Sequence, residues 1–307
     1  MNAVIAGSSA ELKRRIVEFV RGASAEVTPA DAELLPALAN RLPAGTTIYV
    51  AHTPKADVDD VVRVAVQAES LGLRACPHIV ARRIASERAL RAALTELKDG
   101  GVEQIMLVAG DRDPPIGKFS STLEILDSGA TVDAGITALG VAGHPEGHKA
   151  VGLTTLWSAL KHKQDFAART GTRVHIVTQF GFNPAAVCAW EQRFAAHGID
   201  LPVHVGMAGP TALPKLIRYA MQCGIGASLS ALMKNMSAMG NVARLATAPD
   251  EMLTGLVRGS AEQGSTHLEH PHFYAFGGVM ATARWLRAVA DGTFELDASG
   301  DGFTVNA

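Results

Sequence analysis

The chain has 307 residues, 48% hydrophobic and 19% charged, enough apolar material to bury a large core without disulfide or metal staples. Its 28 basic and 30 acidic residues leave a formal net charge of −2, so no basic field is offered to nucleic acid or to an anionic membrane. No stretch reaches the length of a transmembrane helix. The three cysteines, Cys76, Cys188 and Cys223, form no CxxC pair and fit the reduced thiols of a cytoplasmic protein.

In chain order, the first pattern is an amphipathic helix over 1–23, placed to plug the bottom of a barrel. Its basic cluster Lys13-Arg14-Arg15 follows a short apolar run, the reverse of a signal peptide. Strand patterns follow at 24–28, 46–52, 73–80, 102–109, 134–142, 173–180, 201–206 and 268–276. They are short and rich in β-branched residues, as expected for parallel strands covered on both faces. Apolar residues at three- and four-residue spacing predict helices over 31–41, 57–71, 86–99, 151–169, 184–196, 211–222, 249–262 and 278–290. Ser86 and Thr211 read as helix starts, and Gly72, Gly100 and Gly224 as helix stops. Met233, Met236 and Met239 have helical spacing and read as packing. The tail 291–307 is polar and Gly-rich and is expected to lie extended on the surface.

Eight such alternations predict an α/β fold, a (βα)8 TIM barrel, with 1–307 forming a single domain. The competing doubly wound sheet calls for GxGxxG after the first strand, and that motif is absent.

In such a barrel, polar residues at the C-terminal strand ends are the ones that meet a substrate. By that rule the candidates are Glu26, His52, His78, Asp111, the His144-Pro145-Glu146 turn, Gln179 and Tyr274. Glu26 interrupts the apolar run Ala25-Glu26-Val27, so its carboxyl must be either paired or held protonated. The first case is a structural salt bridge and the second a general acid. Asp111 follows Gly110 and reads as a loop-opening Asx turn or as a carboxylate beside a closely approaching ligand. Gln179 carries both a donor and an acceptor, which suits the edge of a heterocycle. His78, after Pro77, reads as a packed histidine or a site member, and Lys161-His162-Lys163 as a solvated helix patch. His144 and His148, and His267, His270 and His272, raise the question of a metal. The HPEGH loop lacks the preset geometry of a helical HExxH, and only His270 and His272 share a strand face, so no metal is expected.

These residues, in their order, resemble the methylenetetrahydrofolate reductase family over roughly residues 20–280, in its short bacterial catalytic form. Ser24-Ala25-Glu26 with Pro29 stands where the family has SFEFFPP, and Ala75-Cys76-Pro77-His78 matches the third strand. Gly110-Asp111, the following Pro-Pro and Gly117-Lys118 resemble the LRGD segment, and His144-Pro145-Glu146 resembles the YPE turn. Leu160-Lys161-His162-Lys163 is similar to LKRK, Thr178-Gln179-Phe180 to TQF, and His272-Phe273-Tyr274 to the HFYTLNR strand.

The resemblance implies a cytoplasmic oxidoreductase interconverting 5,10-methylenetetrahydrofolate and 5-methyltetrahydrofolate, with FAD as cofactor and NAD(P)H as co-substrate. It makes Glu26 the general acid and places Asp111 beside flavin and pterin. Gln179, with Asp111 and Tyr274, would hold the folate, while His78, Gly110, Asp111, His144 and Lys163 would contact the cofactor. The partner is then a reduced folate, with nucleic acid and membrane excluded and a homo-oligomer left open. Several flavin-side positions depart from the family: Ala109 replaces an arginine, Phe119 a tyrosine and Leu156 an aspartate. The last strand reads Ala275-Phe276-Gly277-Gly278 in place of the Asn-Arg ending, and the stacking aromatic after strand seven falls near Met233. Those losses admit direct hydride transfer from NAD(P)H. They also admit a folate-dependent transferase or lyase, or a folate-binding protein without redox activity.

Overall fold

The computed structural model describes residues 2–43, 45–223, 225, 246–264 and 267–305. Eight parallel strands carry the fold: β1 (Ser24–Val27), β2 (Thr47–Val50), β3 (Arg74–Val80), β4 (Gln104–Val108), β5 (Ala138–Gly143), β6 (Arg173–Thr178), β7 (Val203–Ala208) and β8 (Leu268–Tyr274). Their neighbour order is β1-β8-β7-β6-β5-β4-β3-β2, closing back onto β1. This closed barrel is the (βα)8 architecture that the sequence alternation predicts.

Strand parity divides each strand between two environments. Ala25, Val27, Ile48, Val50, Leu139, Val141, Val203 and Val205 point outward into the core shared with the helices. Glu26, Tyr49, Cys76, His78, Met106, Ala142 and Val177 point inward, toward the mouth cavity or its floor. Each fully buried aliphatic side chain of the outer layer stabilises the fold by roughly 1.5–3 kcal/mol.

The surrounding helices are set by local chemistry. Helix Val58–Ser70 opens on a capping box: Asp57 accepts the Asp60 N–H at 2.8 Å, and Asp60 accepts the Asp57 N–H at 3.3 Å. Ser86 caps helix Glu87–Asp99 by accepting the Ala89 N–H at 3.1 Å. That helix buries Leu90, Ala93, Leu94 and Leu97, an i, i+3, i+4, i+7 stripe. The stop at Gly72 is real, since it has φ +79, which only glycine adopts cheaply.

Elsewhere the structure departs from the sequence expectations. The predicted helix 31–41 is a 3-10 turn, Pro29–Leu34, followed by a short helix Leu35–Ala39. Strand β5 starts at Ala138, not 134, because Gly135 is left-handed at φ +72 and breaks the extended run. Before it lie two unforeseen helices, Thr122–Asp127 and Ala130–Asp133, the first nucleated by a Ser121/Glu124 capping box. The segment 184–196 divides into Pro184–Glu191 and Phe194–His197. Thr211 does not start a helix: Thr211-Ala212 pairs antiparallel with Ala246-Thr247, and the helix runs Leu213–Cys223. Strand β7 sits two residues later than predicted, after Pro202, which has no N–H to give to the ladder. Gly224 and the methionines 233, 236 and 239 lie outside the described residues.

Both ends of the chain pack onto the outer wall. The N-terminal helix Asn2–Val20 lies against helices Asp250–Gln263 and Val279–Ala290, so its length follows the outside of the barrel instead of plugging it. Its end reaches the lower rim, where Gly22 makes room for the His270 ring, 2.2 Å from where a Cβ would stand. The tail does not run extended. Phe294–Leu296 and Phe303–Val305 pair antiparallel, and Phe294 and Phe303 are buried beside Trp285. Two aromatics in a polar, Gly-rich stretch are enough to pin it down.

Candidate functional site

A cavity of about 1390 Å³ occupies the C-terminal mouth of the barrel. Its wall contains Glu26, His78, Gly110, Asp111, His144, Lys163, Gln179 and Tyr274. These eight lie on seven different elements and come together only through barrel closure. His52 and Pro145 also line it. Glu146 is absent from the wall described; its carboxylate faces Gly181 instead.

Glu26 is the third residue of β1, with its side chain 17% exposed toward the cavity. Burial pushes its carboxyl up to about 8, because a carboxylate there would lose most of its hydration. Its Oε2 stands 3.7 Å from Nε2 of His78. Burial, with the nearby His52, drops the His78 imidazole to about 4. At neutral pH both groups are therefore uncharged, and this contact is not an ion pair despite its length. Of the two readings open for Glu26, the protonated acid is the one that the surroundings favour.

Asp111 stands exposed at the start of the loop after β4. The preceding Gly110 has φ +87, and a Cβ there would sit 2.4 Å from Cγ1 of Val80. The glycine is therefore required by the turn itself, whatever ligand approaches. Gln179 is fixed at the end of β6: its backbone N–H donates to the Gly143 carbonyl at 2.9 Å, and its Oε1 accepts the Phe180 N–H at 3.1 Å. The side-chain amide NH2 thus remains as the donor on the cavity side. Tyr274 donates to the Thr178 carbonyl at 3.0 Å.

Lys163, from helix Leu153–Thr170, also lines the cavity and is only 6% exposed. It does not belong to the solvated patch: Lys161 pairs with Asp165 and His162 with Asp127, while Lys163 turns inward. Burial lowers its ammonium to about 8. His144 is lowered to about 4 by burial, then by His148 and Lys163. A neutral imidazole and a buried ammonium side by side suit an anionic ligand.

Sequence reasoning missed an aromatic wall. Phe276 stacks on Tyr219 at 4.5 Å and lies parallel to Tyr274 at 6.2 Å, and all three line the cavity. Phe276 has φ +46, a backbone state that costs a non-glycine residue of order 1–3 kcal/mol and clusters at functional sites. The one readable signal was the replacement of a polar strand ending by Ala275-Phe276-Gly277. Tyr49, inward beside Glu26 in the β1–β2 register, was legible from parity alone.

The histidine clusters do not converge. His267 contacts Glu191 at 2.6 Å and Asp200 at 3.2 Å on the outside, while His270 and His272 share the inner face. Among the described residues no group of three His, Cys, Asp or Glu side chains is arranged to hold a metal ion. No helix among them is long and apolar enough to cross a membrane.

Among solved structures, a phosphonomutase-like chain of Burkholderia cenocepacia J2315 is similar at TM-score 0.51 and 11% identity, covering 90% of this chain and 97% of that one. A lyase- or mutase-like chain of the same organism matches at TM-score 0.47 and 16% identity, over 92% and 88%. At such identities the likeness concerns the fold alone. The family model described as methylenetetrahydrofolate reductase matches residues 29–287. That span begins just past Glu26, so the role of Glu26 is argued from its place in the barrel. With most of the chain matched, it belongs to the methylenetetrahydrofolate reductase family.

Proposed function

We propose that the chain interconverts 5,10-methylenetetrahydrofolate and 5-methyltetrahydrofolate, with NAD(P)H giving its hydride directly to the folate. The observation that carries this reading is Glu26, a carboxyl kept protonated near neutrality inside the mouth cavity. A neutral acid in a large concave site is what ring opening of the methylene bridge needs.

Glu26 donates its proton to the aryl nitrogen (N10) as the bond from that nitrogen to the methylene carbon breaks. The electron pair of the other ring nitrogen (N5) forms an iminium ion with the same carbon. Hydride from the dihydronicotinamide then adds to that carbon, giving the methyl group and an oxidised nicotinamide. Asp111 supplies negative charge beside the developing cation. The Gln179 amide meets the pterin edge, and the Tyr219–Phe276 face supplies a stacking surface. Lys163 and His144 suit the pyrophosphate of the dinucleotide.

FAD is the cofactor this family generally uses, and the residues present do not fit its ring. A flavin ring needs polar groups along its heteroatom edge. Here Ala109 and Leu156 present apolar side chains to the cavity, and Phe119 is 1% exposed and packed away from the cavity wall described. The cavity volume of about 1390 Å³ exceeds the roughly 300–1,000 Å³ of a single-ligand site, which accommodates dinucleotide and folate together.

The test is an absorption spectrum of the purified protein, followed by NAD(P)H oxidation with methylenetetrahydrofolate. Colourless protein that consumes NAD(P)H only when the folate is present is expected. A stoichiometric yellow chromophore would restore the flavin. Folate binding without NAD(P)H oxidation would leave a non-redox folate protein.

A further inference from the structure

His78 enters the resemblance as a cofactor contact, yet in the structure it stands beside the carboxyl of Glu26. The two side chains extend from β1 and β3 across β2, with Nε2 and Oε2 3.7 Å apart and only 15% and 17% exposed. Tyr49, on the intervening strand, presents its ring edge-on to the imidazole at 6.2 Å. His52, from the loop after β2, and His272, on β8, act electrostatically on His78. Tyr274 on β8 and Cys223 on helix Leu213–Cys223 do the same to Glu26. All of these groups are neutral at pH 7, and of these types an imidazole is the one that can take up a proton when a carboxylate forms beside it. His78 is the imidazole within reach of the acid.

We propose that His78 is the positioning residue through which Glu26 regains its proton after each reductive turnover. This rests on the reading of Glu26 as the acid. Once Glu26 has protonated the folate nitrogen, a bare carboxylate remains in a poorly hydrated pocket. That new charge draws a proton from solvent, through the cavity, onto His78 and forms a transient imidazolium–carboxylate pair. Transfer from Nε2 to Oε2 then restores two neutral groups. One proton enters from solvent and one leaves on the product, so the cycle balances. In the oxidative direction the same pair drains the proton.

The experiment joins infrared spectroscopy with kinetics on His78→Leu and His78→Asn. The carbonyl stretch of protonated Glu26 is identified by its disappearance in Glu26→Gln and followed against pH without any substrate. If His78 can take up a proton beside the Glu26 carboxylate across the 3.7 Å gap, its loss in His78→Leu should let the band persist to a pH about one unit higher, a ~10-fold gain in proton affinity. Reductive kcat should fall ~10-fold, with KM for folate and NAD(P)H within about twofold, and added imidazole should restore part of it. His78→Asn keeps a hydrogen-bond donor but carries no proton, so its band should titrate near wild type while kcat stays low. An unmoved band in His78→Leu, full activity in His78→Asn, or lost NAD(P)H affinity with an unchanged pH profile would each overturn the proposal. Because the infrared measurement needs no turnover, failure of the folate reaction in wild type would condemn the proposed function and leave the pair to be judged on the band.

Discussion

The hydroxyl of Tyr49 and Nε2 of His175 meet at 2.7 Å inside the barrel, tying β2 to β6 across the interior. From there the interior continues as imidazoles. His175 stacks on His204 at 4.3 Å, His204 lies 5.6 Å from His270, and His272 packs on Tyr49 at 4.4 Å while bonding Ser24 at 2.8 Å. Gly140 clears the space for His175, whose Nε2 lies 3.2 Å from where a Cβ would be. The buried Nδ1 of His204 has no protein partner, so this ring must remain neutral to be tolerated.

Acid sensitivity follows from that arrangement. Burial holds His175 at about 4 and His272 at about 3, and pushes His204 well below its ordinary value. In the unfolded chain each would titrate near 6.5. These depressed values contribute stability that is present above about pH 6.5 and is lost as pH falls toward 4, because unfolding then binds protons. The thermal midpoint should therefore drop steeply between pH 6.5 and 4. A midpoint that stays level across that range would mean that the interior imidazoles are not neutral.

Glu26 sets the opposite limb. Its folded value is raised to about 8, so its contribution to stability is fully present below the ordinary carboxylate range and is lost as pH rises through 8. The reductive rate should hold level through neutrality and fall above about pH 8, as the acid loses its proton. Glu26→Gln should reduce kcat by roughly 10²–10⁴-fold while leaving the circular dichroism spectrum unchanged. A variant that keeps near wild-type turnover would show that another group delivers the proton.

For Gln179, the backbone anchors and the Phe180 contact fix where the free amide points. If that amide meets the pterin as proposed, Gln179→Ala removes about one hydrogen bond, worth on the order of 1 kcal/mol. The folate KM should rise about fivefold, with the NAD(P)H KM unaltered. A change confined to the dinucleotide would place that strand end against the other ligand.

The barrel was legible because its signals are periodic: apolar runs of strand length, helix stripes such as Leu90-Ala93-Leu94-Leu97, and caps such as Ser86. Strand-end logic also picked residues that the barrel gathers, since Glu26, Asp111 and Gln179 all line the mouth cavity. What escaped was set by single residues or by distance. Gly135 breaks the predicted fifth strand through its left-handed backbone. Phe294 and Phe303 anchor a tail whose composition is polar. The Tyr219–Phe276 stack joins residues 57 positions apart, and the inward turn of Lys163 away from Lys161 depends on the helix's rotation against the barrel. No local pattern encodes such pairings.

That inward turn gives the proposed dinucleotide subsite a pH dependence of its own. Lys163 is held at about 8 by burial and faces the cavity beside His144, so its positive charge is present at neutrality and lost just above it. If it meets the pyrophosphate, the NAD(P)H KM should rise as pH passes 8, independently of the Glu26 effect on kcat. Lys163→Met should raise that KM by roughly tenfold at pH 7, the scale of a charge-assisted hydrogen bond. Lys163→Arg stays charged at all accessible pH and should flatten the KM profile up to pH 9. The paired measurement separates charge from packing: if arginine and methionine raise KM equally, Lys163 supports the wall and does not hold the anion.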